Sequence, residues 1–281
     1  MSIMIGGVVL LFMLMAAVFA PLLTLTDPWA LSVEERLTPP NMHALLGTDN
    51  LGRDLFSRVL YGARLSLIVG GATALCSGIG GIVLGLLGGY RRVFSGVIMR
   101  VVDGMMALPG TLLALAMMAV LGPSSLNVVI ALSIAYMPRV ARVEHASTLQ
   151  VTSREYVLAA VAIGCSDARV LLRHVLPNTL APVLVQITFT FAYAVIAEAG
   201  LSFLGVGAPP DVPSWGNIIA GGRDYLLVAP WITVIPGIAV LLVVLSLNLI
   251  GDGFRDILDP RLRGQRATAL RSILKTGTTG G

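Results

Sequence analysis

Long stretches of apolar and small residues alternate along the chain with short segments that hold the charged side chains. Five stretches contain no charged residue, and they are residues 1–26, 65–90, 104–138, 175–197 and 225–251. A helix needs about 20 apolar residues to cross a hydrocarbon layer about 30 Å thick. Each stretch therefore predicts at least one membrane-spanning helix, and the expected fold class is all-α.

The third stretch is expected to hold two helices. It is longer than one span requires, and Gly122–Ser125 interrupts it, because proline has no backbone N–H and Gly-Pro-Ser clusters favour turns. One helix is predicted from about Ile98 to Leu121 and the next from about Leu126 to His145. The sequence thus predicts six transmembrane helices.

These six spans divide the chain into four parts. Residues 1–26 are expected to form an uncleaved first transmembrane helix, because they lack the basic segment with which a signal peptide begins. An extracytoplasmic loop is predicted at 27–63. A five-helix core then covers 64–254 and includes a cytoplasmic loop at 147–178, and a cytoplasmic tail covers 255–281.

Composition and charge support a membrane protein and indicate its orientation. Hydrophobic residues make up 56% of the chain and charged residues only 12%. An ordinary soluble domain is about 25% charged, so a soluble enzyme and a disordered chain are both excluded. If the N-terminus lies inside, the inner segments hold fourteen of the 19 basic residues, which predicts that both termini are cytoplasmic. The net charge of +4 therefore reflects topology rather than nucleic-acid binding.

Motifs for catalysis and for metal binding are missing from the sequence. There is no G-x-x-x-x-G-K-[ST] phosphate loop, so we expect no ATP hydrolysis by this chain. Cys76 and Cys165 lack the spacing of a metal site or a disulfide framework, and the three histidines are scattered. We therefore expect no catalytic residue, no metal and no cofactor in this chain.

Three charged residues within the predicted spans are candidates for intramembrane polar contacts. Arg100 and Asp103 lie three residues apart on one helix face, so they are expected to form a structural ion pair, and a substrate site is the alternative. Glu198 lies late in the fifth span. An intramembrane carboxylate is a candidate for substrate contact, but a bond from Glu198 to a neighbouring helix or loop is the favoured interpretation.

Glycines at every fourth position of the second span predict close helix packing. Gly81, Gly85 and Gly89 leave a groove of bare backbone along one face, which lets a neighbouring helix approach closely. Packing within this subunit is the favoured interpretation, and an interface with a partner permease is the alternative.

The longest inner segment predicts two short helices joined by a turn. Gly164 separates the two helices and permits a sharp change of direction, and Pro177 precedes the fifth span. The second helix combines Arg169 and Arg173 with two neighbouring leucines, a mixture that suits docking into a groove on another protein. A generic solvated loop is the alternative on this pattern alone.

This segment resembles the EAA loop of importer permeases in the ATP-binding-cassette class, whose pattern is E-A-A-x3-G-x9-I-x-L-P. The matching positions are Ala159, Ala160, Gly164, Leu176 and Pro177. Leu158 replaces the glutamate of the pattern and His174 replaces its isoleucine, while Glu155 offers a carboxylate one helical turn earlier. The resemblance implies the type I importer permease fold, with this loop transmitting movement from ATPase subunits.

Further segments resemble the dipeptide, oligopeptide and nickel permease subfamily, and in particular its C-type subunit. The segments are Leu46–Arg58, Leu201–Gly205 with Pro213–Gly216, and Asn248–Asp256 with Leu258–Arg261. The resemblance implies a heterodimer with a homologous B-type permease in the lipid bilayer of the bacterial inner membrane. It also implies two cytoplasmic ATP-binding subunits, which bind ATP and magnesium, and an extracytoplasmic solute-binding protein.

The outer loop contains charged residues with a regular spacing. Asp49 and Arg53 are four residues apart, as are Asp54 and Arg58, which allows two carboxylate–arginine pairs. These pairs are expected either to dock the solute-binding protein or to fix the loop, and the structural role is favoured.

The function implied by the resemblance is ATP-driven import of di- or oligopeptides, with no covalent chemistry in this chain. Nickel, glutathione, opine or glycoside import by the same mechanism is the alternative within the family. An ion-coupled secondary transporter is disfavoured, because such a protein usually has acidic residues at the membrane midplane and Glu198 alone makes a poor case.

Overall fold

The computed structural model describes residues 2–24 and 26–258, with side chains at all of these positions except 92 and 258. The helices are α1 (Ser2–Val18), α2 (Ala20–Leu23), α3 (Leu55–Tyr90), α4 (Arg92–Met106), α5 (Gly110–Leu121), α6 (Ser125–Thr152), α7 (Glu155–Ala162), α8 (Asp167–Arg169), α9 (Leu176–Phe203), α10 (Trp215–Gly222) and α11 (Trp231–Leu258). A π-helical segment, Val170–Val175, joins α8 to α9. The predicted all-α fold is confirmed.

Four helical segments are long and apolar enough to cross a membrane, and they are α3, α6, the continuous segment through α8 and α9, and α11. A fifth candidate consists of α4 and α5, which are bent by 87° relative to each other. The first helix, α1, is apolar but has only 17 residues. The described part of the chain thus has four or five candidate spans and the shorter α1, and the count of six stays a prediction.

The prediction of one continuous helix from Ile98 to Leu121 is wrong. The helix α4 ends at Met106, and α5 begins at Gly110. Pro109 lies between them, and its ring disfavours helical backbone at the residue before it and supplies no N–H. The chain therefore turns sharply within the region that was expected to cross the membrane as one helix.

Both boundaries of the predicted outer loop differ in the structure. The first helical region is divided near Phe19, and its second helix has Pro21 in the first turn, where a missing N–H is tolerated. At the other end, α3 begins at Leu55 instead of near residue 64. The carboxylate of Asp54 accepts a hydrogen bond from the backbone N–H of Ser57 at 2.8 Å and caps this first turn.

The predicted inner loop at 147–178 is more helical than expected. The helix α6 continues to Thr152, and the second short helix is not separate, because α8 runs through the π-helical turn into α9. Pro177 lies in the first turn of α9, where its missing N–H is tolerated and the preceding wide turn accommodates its ring. Asp167 to Phe203 is therefore one continuous helical segment.

The predicted tail lies almost wholly outside the described residues. Residues 255–258 form the end of α11, so the helix extends beyond the predicted core boundary at 254. Residues 259–281, which include most of the Leu258–Arg261 segment and the last basic residues, are outside the described ranges.

The helices α3 and α6 pack closely along the glycine positions that the sequence singled out. A Cβ atom added at Gly85 would lie 2.5 Å from the Cβ of Glu144, which is closer than real Cβ atoms approach. At Gly81 and Gly89 the nearest α6 atoms would lie at 2.5 and 2.6 Å. The prediction that these glycines pack within the subunit is confirmed, because a side chain there would force the two helices apart.

Candidate coupling loop and buried polar contacts

The turn after α7 has the geometry that the sequence predicted for Gly164. Its φ is +84°, in the left-handed region that favours glycine. The backbone N–H of Gly164 donates to the carbonyl of Val161 at 3.0 Å, and that of Cys165 donates to the carbonyl of Ala160 at 3.1 Å. These two bonds form a Schellman motif, which ends the helix and fixes the direction of the following chain.

One face of the loop packs against the membrane helices. Val157 and Ala160 are buried together with Val170 and Val175, and this cluster also contains Leu86 of α3. Because these apolar side chains come from both arms of the loop, the arms are held on the end of α3 by burial of apolar surface.

The other face of the loop is exposed. Its exposed candidate coupling residues are Glu155, Ala159, Gly164, Arg169, Arg173 and Pro177. Of the two remaining candidates, Ala160 faces inward and Leu176 is half-buried. The docking prediction requires both leucines of the second arm to be exposed. Leu172 is exposed, but Leu171 is half-buried against the cluster. The surface available to a partner therefore has the acidic Glu155 on the first arm, the basic Arg169 and Arg173 on the second, and exposed apolar side chains on both.

Asp167 ties the second arm to the end of α3. The Tyr90 hydroxyl donates to Asp167 Oδ1 at 2.8 Å, and Arg91 forms an ion pair with Asp167 Oδ2. The sequence pattern does not predict this contact. An acidic residue in the first turn of a helix is a usual stabilising feature, and nothing local indicated a partner 76 residues away in the sequence.

Glu144 joins three helices and was also missed as a candidate. Its Oε1 accepts hydrogen bonds from the hydroxyls of Thr148, at 3.1 Å, and of Thr179 in α9, at 2.8 Å. The side chain is fully buried against Gly85 of α3, and its Oε2 has no hydrogen-bond partner among the described residues. A buried carboxylate at this junction makes the relative positions of α3, α6 and α9 dependent on a few hydrogen bonds.

Glu198 bonds to a neighbouring helix, as predicted. Its Oε2 accepts a hydrogen bond from the Ser66 hydroxyl of α3 at 2.7 Å, and its Oε1 accepts one from Ser202 at 2.9 Å. Ser66 Oγ also lies 3.4 Å from the backbone N of Trp215 at the start of α10. Because Glu198 is fully buried, it ties α9 to α3.

The predicted Arg100–Asp103 pair is wrong. Asp103 pairs with Arg142 of α6, and both side chains are about half exposed. A spacing of three residues places Arg100 and Asp103 on one face of α4, but Arg142 approaches that face from the neighbouring helix. No carboxylate in the described part of the chain lies within ion-pair distance of Arg100.

The charged side chains Asp49, Arg53, Asp54 and Arg58 bond to other residues of the outer loop and of the first turn of α3. Arg53 Nε donates to Asp49 Oδ2 at 2.7 Å, which confirms the first predicted pair. The second pair is wrong, because Asp54 caps α3 and Arg58 approaches Asp49 instead, with 3.5 Å between Nε and Oδ2. Arg58 also donates to the carbonyl of Pro28 at 3.1 Å. Since Asp49 and Arg58 are buried, this geometry supports the role of fixing the loop.

This helical core and exposed loop match a known protein family. The family described as "Binding-protein-dependent transport system inner membrane component" matches residues 81–264. The chain belongs to this family. The matched region runs from the glycine-rich half of α3 past the end of α11, so it contains the candidate coupling loop.

Named relatives match nearly the whole inner membrane component. A Brucella suis permease protein named for a peptide transport system is 52% identical over 262 residues, which are 93% of this chain and 88% of the relative. The di/tripeptide transport system permease protein of Pseudomonas aeruginosa is 45% identical and covers 92% and 88% of the two chains. The dipeptide transport system permease protein of Alkalihalophilus pseudofirmus is 40% identical, over 92% of this chain and 86% of the relative.

A solved structure has the same fold. The inward-facing methionine ABC transporter MetNI aligns with a TM-score of 0.56 at 17% sequence identity. The alignment covers 70% of this chain and 96% of the matched chain. The predicted importer permease fold is confirmed.

Proposed function

We propose that this chain is the C-type permease subunit of an ATP-binding-cassette importer that carries di- and oligopeptides across the inner membrane. Membership of the binding-protein-dependent family supports a transport role. The names of relatives that are 40 to 52% identical support peptides as the cargo. The chain performs no covalent chemistry in this proposal, and it holds no cofactor.

In the proposed assembly, this chain works with three kinds of protein partner in a lipid bilayer. A homologous B-type permease forms a heterodimer with this chain, and two ATP-binding subunits hold ATP and magnesium on the cytoplasmic side. A solute-binding protein delivers the cargo from outside, and the bilayer surrounds the apolar faces of the helices. Both termini are cytoplasmic, in accordance with the distribution of basic residues.

The continuity of the segment from Asp167 to Phe203 carries the proposal. Its first residues form the second arm of the exposed loop, and its later residues bond to α6 through Thr179 and to α3 through Glu198. A force applied to the arm by the ATP-binding subunits therefore acts on the helix that holds both buried carboxylate contacts. Such packed elements change between discrete arrangements, which suits alternating access.

Reconstitution of the whole complex tests this function. Proteoliposomes that contain both permeases and the ATP-binding subunits are supplied with the solute-binding protein and radiolabelled alanyl-alanine. We expect uptake that requires ATP, persists with proton and sodium ionophores, and is inhibited by unlabelled di- and oligopeptides. Uptake that disappears with the ionophores would contradict the ATP-driven mechanism, and competition by nickel, opines or glycosides but not by peptides would contradict the cargo.

A further inference from the structure

An arginine lies halfway along α6, far from both helix ends. At 1.5 Å per residue, Arg139 is about 20 Å from each end of α6. The helix predicted from Leu126 to His145 contains Arg139, and the observed helix continues for thirteen residues beyond Arg139 to Thr152. The uncharged stretch of α6 ends at Pro138, so Arg139 is the first charged residue of this candidate membrane-spanning helix. An ionisable residue within such a helix is a candidate functional site.

Two tyrosines hold the guanidinium of Arg139. Its Cζ lies 5.2 Å from the ring centroid of Tyr136, one turn earlier on α6, and 5.3 Å from that of Tyr193 on α9. Two cation–π contacts offset part of the unfavourable transfer of the charge from water. Within residues 2–24 and 26–258, no carboxylate lies within ion-pair distance of this guanidinium.

The same two rings line a cavity of about 340 Å³ between α5, α6 and α9. Apart from the tyrosines, its lining is almost entirely apolar. The other lining residues of α6 and α9 belong to the ends of these helices that the proposed orientation places toward the extracytoplasmic side. A solute that enters the cavity from that side therefore reaches the two rings. Arg139 does not line the cavity itself, but its guanidinium lies against both of these rings.

We propose that Arg139, Tyr136 and Tyr193 form a transit site that binds the carboxylate of a peptide during its passage through the membrane. This inference rests on the proposed function. A peptide C-terminus has a pKa of about 3.5 and is therefore ionised at neutral pH. An arginine offers a planar fork of donors that fits a carboxylate with two parallel hydrogen bonds.

The chemistry of the site separates classes of cargo. The apolar lining accepts side chains without selecting among them, whereas the fixed cation selects for one anionic group. A metal cation such as nickel would be repelled by the guanidinium, and a neutral glycoside would not compensate its charge. The site therefore favours a carboxylate-bearing solute over both.

The test uses the reconstituted complex with its solute-binding protein and radiolabelled alanyl-alanine. In Arg139→Gln we expect the maximal uptake rate to fall tenfold or more. The peptide concentration at half-maximal uptake should stay unchanged, because the solute-binding protein sets it. Arg139→Lys should recover part of the rate, because it restores the charge without the fork.

Arg64→Gln provides the matched control. Arg64 is also stacked on a tyrosine, Tyr61, at 5.9 Å, but it is exposed near the start of α3. Uptake by this variant should equal that of the wild type. Melting temperature and copurification of the B-type permease are measured for every variant, so that loss of the fold is distinguished from loss of transport.

Several outcomes would overturn the inference. Wild-type uptake by Arg139→Gln would show that the charge is not used, as would an Arg139→Lys variant no better than Arg139→Gln. Loss of the B-type permease from Arg139→Gln, with normal uptake by the complexes that remain, would assign the arginine to a carboxylate of that subunit. A wild-type complex that takes up no alanyl-alanine would instead contradict the proposed function.

Discussion

Replacing Gly164 by valine is expected to separate the ATP-binding subunits from an otherwise folded permease. The φ of +84° places this residue in the left-handed region, where an ordinary L-residue costs about 1–2 kcal/mol and a branched one more. Apart from its two chain neighbours, no described residue has an atom within 4 Å of a Cβ built at this position. The destabilisation by valine therefore comes from backbone strain alone. We expect it to change the direction of the chain at the turn and to leave side-chain packing unchanged.

A valine can relieve this strain only by leaving the left-handed region. That change breaks the hydrogen bonds to the carbonyls of Val161 and Ala160, each worth about 0.5–1.5 kcal/mol. It also redirects α7 relative to the arm that carries Arg169 and Arg173, which is continuous with α9. Every 1.4 kcal/mol changes a population tenfold. The correct arrangement of α7 and this arm should therefore be depleted about tenfold or more, with an equal loss of affinity for the ATP-binding subunits.

The assay combines copurification of the ATP-binding subunits with uptake of alanyl-alanine. Gly164→Val should lose both and still bind the solute-binding protein, with an unchanged melting temperature. Gly164→Asn is the matched control, because asparagine tolerates the left-handed region, and it should retain both activities. Equal copurification and uptake for Gly164→Val and the wild type would refute the reasoning.

Two predictions concern the helix core. In Gly85→Val the new Cβ meets the Cβ of Glu144 at 2.5 Å, so the stability of the folded protein should fall by about 1–3 kcal/mol. The melting temperature and the yield of folded protein should both decrease. Gly96→Val is the control, because a Cβ there has no neighbour among the described residues within 4 Å, and this variant should fold normally. An unchanged melting temperature for Gly85→Val would contradict this packing. Glu198→Ala leaves the buried Ser66 hydroxyl without its acceptor and should cost about 1–3 kcal/mol, while Glu198→Gln should recover most of that loss, again by melting temperature. Equal losses for both Glu198 variants would show that the hydrogen bond is not the stabilising feature.

The features that were predicted correctly depend on local signals. The helix at Glu155–Ala162 and the left-handed turn at Gly164 follow from residues within one short segment. The spacing of Gly81, Gly85 and Gly89 likewise shows a bare helix face, whatever packs against it. Chain-local physics, such as capping and the absence of a Cβ, is sufficient for these features.

Features that depend on contacts between distant segments could not be predicted in the same way. Asp103 had a cation three residues away, yet its partner is Arg142 on another helix. Asp167 pairs across 76 residues with Arg91. A residue from another helix can form the ion pair in place of a neighbour on the same helix face. The sequence pattern does not show which distant residues the fold brings to that face.

Prolines posed a similar problem. Pro109 ends one helix and starts another at a sharp bend, whereas Pro138 and Pro236 lie inside continuous helices. Each ring removes one N–H and disfavours helical backbone at the preceding residue. Because the three prolines nevertheless have different outcomes, a proline in the local sequence does not by itself predict a bend.

Site-specific crosslinking tests most directly the claim that this loop meets the ATP-binding subunits. Single cysteines replace Arg169 on the exposed arm and Met42 in the outer loop, which is 94% exposed, in a background without Cys76 and Cys165. Each carries a short photoreactive crosslinker in the assembled complex. Position 169 should crosslink to an ATP-binding subunit, and position 42 to the solute-binding protein. A crosslink from position 42 to an ATP-binding subunit, with none from position 169, would contradict both the orientation and the coupling role.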